Sequence, residues 1–208
     1  MDLHLWLAFV AASVALLLIP GPTVLMILSY ALSQGRRVAV ATAAGVALGD
    51  ALAMSASLAG LGALVMASAT LFTLLKWVGA AYLVFLGVQL WRSAGAASGA
   101  VLAEAPALPA RHVFGHAVLV TVLNPKSIAF FIAFVPQFVS PQAALGPQFA
   151  VLIGTFVTLA ALNALSVALL ADQLRSRIAR PGVIAALSRV GGAALVAMGV
   201  ATAALRRA

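Results

Sequence analysis

The chain has no cysteine and very little charge: 208 residues contain four Asp and Glu and twelve Lys and Arg, 8% charged in all. Without cysteine there is no disulfide framework, no thiolate metal site and no cysteine nucleophile. His4, His112 and His116 are too scattered to make a metal site, and neither an HExxH pattern nor a GxxxxGK[ST] loop occurs, so no metal and no other cofactor is expected. A water-soluble domain has about 25% charged and about 45–50% apolar residues. With 64% hydrophobic residues and a mean hydropathy of +1.16, this chain cannot clothe a folded surface in polar groups. It belongs in a lipid bilayer. The net charge of +8 would suggest a nucleic-acid partner if the bases clustered on a polar domain, but they fall in the gaps between apolar runs.

Roughly 20 apolar residues cross about 30 Å of hydrocarbon. Six runs are long enough: Leu3 to Leu32, Val38 to Met66, Leu71 to Leu90, Val113 to Val139, Phe149 to Ala171 and Ile184 to Leu205. They show no alternation of apolar and polar residues, which excludes a transmembrane β-barrel and predicts an all-α integral membrane protein with six transmembrane helices. Asp2 and His4 stand where a cleavable signal peptide has basic residues, so the first run is expected to stay. Arg36, Arg37, Arg92, Arg111, Arg175, Arg177, Arg180 and Arg189 follow the first, third and fifth runs, whereas Ala67 to Thr70 and Ser140 to Pro147 have no Lys or Arg. Positive loops stay in the cytoplasm, so the loops after spans one, three and five are expected there and both termini opposite. Arg206 and Arg207 at the C-terminus argue against that assignment.

The one linker of note, Ser93 to Pro109, contains Gly95, Glu104, Pro106 and Pro109 and divides the chain into two halves. The expected units are a first three-helix repeat over 1–92, a cytoplasmic linker over 93–112 and a second three-helix repeat over 113–208. Each half opens with a helix interrupted by proline, Pro20-Gly21-Pro22 in the first and Asn124-Pro125-Lys126 in the second. Three spans per half is an odd number, so the second copy enters from the opposite side as an inverted repeat. Paired broken helices in such halves point to a binding site at the midplane.

Asp50 lies twelve residues past Val38 and Asn124 eleven past Val113. At about 1.5 Å per residue both are roughly 17–18 Å deep, and Pro22, counted back from Gly35, is about 20 Å deep. Asp50 is the only carboxylate inside an apolar run, and a charge there costs at least about 2.5–3.5 kcal/mol on insertion scales. Lys126 is its candidate partner. The functional reading makes Asp50 a proton carrier or a ligand for a substrate ammonium, and Lys126 a ligand for a carboxylate. The structural alternatives are a buried ion pair that fixes helix register, or a protonated Asp50 bonded to a neighbouring helix. Pro20, Pro22 and Pro125 each remove a backbone donor, and the carbonyls this frees must be satisfied by protein, water or ligand. Half-helix ends suit a zwitterion, with N–H groups for a carboxylate and carbonyls for a cation. Asn163 either lines the same cavity or bonds helix to helix. Gly45-Val46-Ala47-Leu48-Gly49 reads as a helix-packing or dimer face, and Trp6, Trp77 and Trp91 as interfacial anchors.

These residues resemble a known family. Pro20-Gly21-Pro22, then Ala31-Leu32-Ser33-Gln34-Gly35-Arg36-Arg37 and Gly45-Val46-Ala47-Leu48-Gly49-Asp50, are similar to the opening signature of the LysE/RhtB amino-acid exporters. Lys76 to Leu83 with Gly87, and Asn124-Pro125-Lys126 with Phe130-Phe131 and Pro136-Gln137-Phe138, look like that family's third- and fourth-span motifs. The resemblance implies export of amino acids or close derivatives from the bacterial cytoplasm across the inner membrane, coupled to protons. It implies that Pro20, Gly21, Pro22, Asp50, Asn124, Pro125 and Lys126 form the transport core. One acid and one base favour a neutral zwitterion over a dibasic amino acid. Many relatives of this family are expected to dimerise, so a homodimer stays open. The rival readings are a small ion channel or inorganic-ion exporter and a non-transporting membrane scaffold. An enzyme is not expected, because one Asp, one Lys and scattered histidines make no catalytic set.

Overall fold

The structure, a computed structural model, describes residues 2–19, 21–94, 107–140, 143–171 and 181–204. The described residues form helices joined by short non-helical connections, without strands. In order they form α1 (Leu3–Leu18), α2 (Pro22–Gln34), a 3-10 turn (Gly35–Val38), α3 (Ala39–Ala67), α4 (Ala69–Ser93), α5 (Ala110–Val122) and α6 (Pro125–Ala129). A π-helical turn (Phe130–Phe134) and a 3-10 turn (Val135–Phe138) then lead to α7 (Leu145–Leu169) and α8 (Pro181–Ala204). Helices are the solution that satisfies every backbone donor within its own segment, which lipid requires. The outer faces are apolar, with Val40 72% and Val190 70% exposed.

The stretches Thr70–Ser93, Leu145–Leu169 and Ala185–Ala204 are each long and apolar enough to cross a bilayer. So is the 42-residue stretch Pro22–Ala63, and α5 with the segment Pro125–Phe138 passes the same test as a pair bent by 41°. The first run expected from sequence is divided: α1 has 16 residues and α2 has 13, with a break between them. Neither half spans on its own, because about 20 residues are needed.

Contacts between helices give their directions. Tyr30 on α2 bonds His116 of α5, while Gly45 on α3 lies against Phe114 and Ala117 of the same α5 turn. In one straight helix Tyr30 and Gly45 would be about 22 Å apart. The chain therefore reverses between α2 and α3, at Gly35, whose φ of 64° is the one positive value among the described residues. Along α3 and α5, Gly45 meets Ala117 and Gly49 meets Thr121, so these helices run parallel. Along α4 and α8, Gly87 meets Gly192 and Ala80 meets Gly199, so these run antiparallel. Trp6 of α1 bonds Thr155 of α7 and Leu17 bonds Asn163, so α1 and α7 run parallel.

Glycine sets the closeness of these seams. A Cβ at Gly45 would stand 2.6 Å from the Phe114 carbonyl oxygen, and one at Gly87 would stand 2.6 Å from that of Gly192. The GxxxG pair thus packs inside the bundle. Between α1, α6 and α7 lies an aromatic cluster in which Phe9, Phe130, Phe131 and Phe156 are fully buried. The Phe131 and Phe156 rings meet edge to face at 4.9 Å, a favoured aromatic geometry.

Residues 95–106 of the linker, with Gly95, Glu104 and Pro106, lie outside the described residues, as do Pro20, Arg175, Arg177, Arg180, Arg206 and Arg207.

Candidate functional site

The site grows from the two helix breaks. α1 ends at Leu18, Gly21 is extended (φ -152°, ψ -177°), and α2 starts with Pro22 at its first position, where a missing N–H costs nothing. The Leu16 carbonyl would ordinarily accept from the N–H of residue 20, but proline has none. The Ile19 N–H donates to it instead, at 3.2 Å, and Lys126 adds a second donor. Its Nζ donates to the carbonyl oxygens of Leu16 and Ile19, each at 2.9 Å. An ammonium against the last carbonyls of a helix is also what the helix dipole favours. Gly21 lies against it, and a Cβ there would make ordinary contact with Nζ at 3.4 Å.

The second break mirrors the first. α5 ends at Val122, Asn124 caps α6, and Pro125 again takes the first helical position. The Asn124 side chain accepts from the Lys126 backbone N–H at 3.1 Å and donates through Nδ2 to Thr23 Oγ1 at 3.0 Å. Each break is thereby bonded to the other: Asn124 to the start of α2, Lys126 to the end of α1. A π-helical turn follows directly after α6, an irregularity frequent at functional sites.

Asp50 projects from α3 toward this junction and is 3% exposed. Its Oδ1 has no hydrogen-bond partner. Asp50 and Lys126 line one small cavity with Thr23, Asn124, Ser127 and Asn163. They form no ion pair with each other; two of the three ammonium N–H donors of Lys126 go to helix-end carbonyls. The cavity measures about 20 Å³, just above the ~10–15 Å³ that one water needs. Asn163 reaches the Leu17 carbonyl at 3.5 Å, so it both lines the cavity and touches α1.

A second cavity, of about 320 Å³, shares Asn124 and Lys126 with the first. Gly21, Pro22 and Pro125 line it, with Gln89 and Ser93 of α4 and Leu195 of α8. Of the residues singled out from sequence, Gly21, Pro22, Asp50, Asn124, Pro125, Lys126 and Asn163 therefore surround two adjoining cavities, and Pro20 lies outside the described residues. Sequence reasoning passed over Thr23, Ser127 and Gln89. Thr23 and Ser127 each stand one residue past a residue it did select, and a hydroxyl beside a broken helix was the signal available. His116 was set aside as a span-end histidine and proves to bond Tyr30 at 2.8 Å. Among the described residues no group of three or more His, Cys, Asp or Glu could hold a metal ion.

Comparison with known proteins agrees with this architecture. No solved structure matches the chain. An uncharacterized membrane protein of Vibrio cholerae is 36% identical over 96% of this chain and 97% of its own length. A homoserine/homoserine lactone efflux protein of Salmonella typhimurium is 34% identical over the whole of both chains. A leucine efflux protein of Salmonella choleraesuis is 29% identical over 68% of this chain and 66% of its own length. The LysE type translocator family matches residues 14–205. An all-helical, multi-pass membrane protein with two interlocked broken helices at its centre, the chain belongs to the LysE type translocator family.

Proposed function

We propose that this transporter exports amino acids with uncharged side chains, or close derivatives, from the bacterial cytoplasm across the inner membrane in exchange for protons. The protein is not an enzyme, and the efflux proteins among its relatives support amino-acid export. The observation that carries the site is Asp50, a buried carboxylate whose Oδ1 lacks a partner, in a cavity bounded by both helix breaks. A carboxylate kept out of water without a partner is poised for a cation, either a proton or a substrate ammonium. Lys126 and the N-terminus of α2 offer the opposite sign to the substrate carboxylate. In each cycle Asp50 carries a proton one way and faces the ammonium the other.

The transport path follows from six passes in two inverted halves. In that arrangement α1 with α2 forms span one, α3 span two, α4 span three, α5 with α6 span four, α7 span five and α8 span six. The observed directions support it: span one runs parallel to span five as span two runs parallel to span four, and spans three and six are antiparallel. Exchanging the halves maps the pair of spans one and five onto that of spans four and two, and the pair of spans three and six onto itself. Arg36, Arg37, Arg92 and Arg111 then mark the cytoplasmic face.

The test is efflux of a panel of labelled L-amino acids, including homoserine, leucine and lysine, from preloaded proteoliposomes with and without a pH gradient. The reading expects gradient-dependent movement of neutral amino acids, and loss of the gradient dependence in Asp50→Asn with the protein still inserted. Undiminished gradient-driven efflux in Asp50→Asn removes Asp50 from the coupling. No amino-acid movement by folded wild-type protein overturns export.

A further inference from the structure

The 320 Å³ cavity is the only one of the two described with room for an organic solute; small-molecule pockets start at about 300 Å³. Among the described residues, Lys126 is the one charged side chain lining it. Asp50 lines the smaller chamber, which shares Asn124 and Lys126 with this one. Among the lining amides and hydroxyls, Asn124 is committed to Thr23 and to the Lys126 backbone, and Ser93 donates to the Leu90 carbonyl. The Gln89 side chain makes no hydrogen bond to another described residue. Gln89 is exposed on the last turns of α4, which leaves its amide available to a polar group in the cavity.

The cavity also lies toward one end of the molecule. Gln89 and Ser93 belong to the last turns of α4, next to Arg92. The opposite direction from Lys126 is filled with rings. Phe9 lies seven residues before Leu16, about 10 Å along α1, and Phe130 four past Lys126, about 6 Å on. Both are fully buried, together with Phe131 and Phe156.

We propose that this cavity is the cytoplasmic loading site, that it admits amino acids with uncharged side chains, and that Gln89 meets the polar group of such a side chain. The proposal rests on the export reading above. Lys126 takes the substrate carboxylate, and the ammonium faces the smaller chamber that Asp50 lines. A second ammonium or a guanidinium in the side chain would lose its hydration and find no acid in this cavity. A side-chain carboxylate would find Lys126 already engaged. The buried rings close the far side, so the structure corresponds to a state loaded from the α4 C-terminal end.

The native chain has no cysteine, so a single Gln89→Cys thiol is unique. The experiment labels this variant with a membrane-impermeant maleimide in everted and in right-side-out vesicles, with homoserine, leucine or lysine present. Wild-type efflux of the same solutes is measured in parallel. Labelling is expected in everted vesicles only, slowed about tenfold by homoserine or leucine at roughly ten times Kd, because bound ligand leaves about a tenth of the sites open. Lysine should not protect. Labelling from the outside, or equal protection by lysine, overturns the proposal. So does absence of protection by a neutral amino acid that the wild type exports, and in that case the export reading still stands. If the wild type exports none of the three, export itself falls. Gln89→Leu supplies the second readout: the homoserine-to-leucine efflux ratio is expected to drop, and an unchanged ratio removes Gln89 from specificity.

Discussion

Lys126 is the residue on which the two halves of the site depend. Its ammonium is bonded to two carbonyls at the broken end of α1, those of Leu16 and Ile19, and its backbone N–H is bonded to the Asn124 cap. Lys126→Met keeps the stem and removes the donors; the Leu16 carbonyl retains the Ile19 N–H, whereas the Ile19 carbonyl loses its donor, at about 1–3 kcal/mol. A lowered unfolding temperature in detergent is expected. The double variant Asp50→Asn, Lys126→Met separates a cap from an ion pair. If Lys126 chiefly neutralised Asp50, removing the second charge would restore much of the stability, as when both members of a buried pair are replaced. The carbonyl geometry predicts little restoration, and recovery to near wild type would reassign Lys126 as a counter-ion. The sequence made Lys126 conspicuous, because a cation in an apolar run demands a partner. It could not name the partner, since Leu16 and Ile19 contribute backbone oxygens, and carbonyl acceptors carry no residue signature. Asp50, Asn124 and the prolines were legible for the same reason of cost, whereas Gln89 was not, since an amide near a helix end draws no attention until a cavity is seen beside it.

At the level of elements, small residues decide how near the helices come. Gly87 lies on the seam between α4 and α8, where a Cβ would meet the Gly192 carbonyl at 2.6 Å and Val196 at 2.8 Å. Gly154 on α7 has no atom within 4 Å of the same position. One substitution therefore has two outcomes. Gly87→Val must push the helices apart, at about 1–3 kcal/mol for overpacking, whereas Gly154→Val extends into open space. Thermal melting of the two purified variants should show a clear loss for the first and little change for the second; equal effects would mean that the cost is helix propensity and not the seam. The GxxxG motif at Gly45 and Gly49 was readable as a packing face, but which helix it meets was not, because α5 is more than sixty residues away along the chain. The breaks were legible from proline. The separation of α1 from α2 into two short helices was less so, since hydropathy runs through residues 3–32 without interruption.

For the whole molecule, the number of passes turns on Gly35. Composition alone lets Pro22–Ala63 stand as one apolar helix of 42 residues, about 63 Å if straight and twice the roughly 30 Å of hydrocarbon. Arg36 and Arg37 would then fall near the middle of that helix, where each charge is expensive. The shared contacts of Tyr30 and Gly45 with one turn of α5 place a reversal there instead, and the two arginines at its tip. A reversal at Gly35 puts both arginines on the surface and sends α3 back across the bilayer. The connection before α7 then lies on the opposite face from Arg36. Single-cysteine reporters in this cysteine-free chain test both faces at once. Ala143→Cys is expected to react with an impermeant maleimide in intact cells, and Arg36→Cys only in everted vesicles. Protection of Arg36→Cys from both sides would place it inside the membrane and restore the single long helix. Reaction of both positions from the same side would break the alternation on which the inverted repeat depends, and with it the matched placement of the two proline breaks.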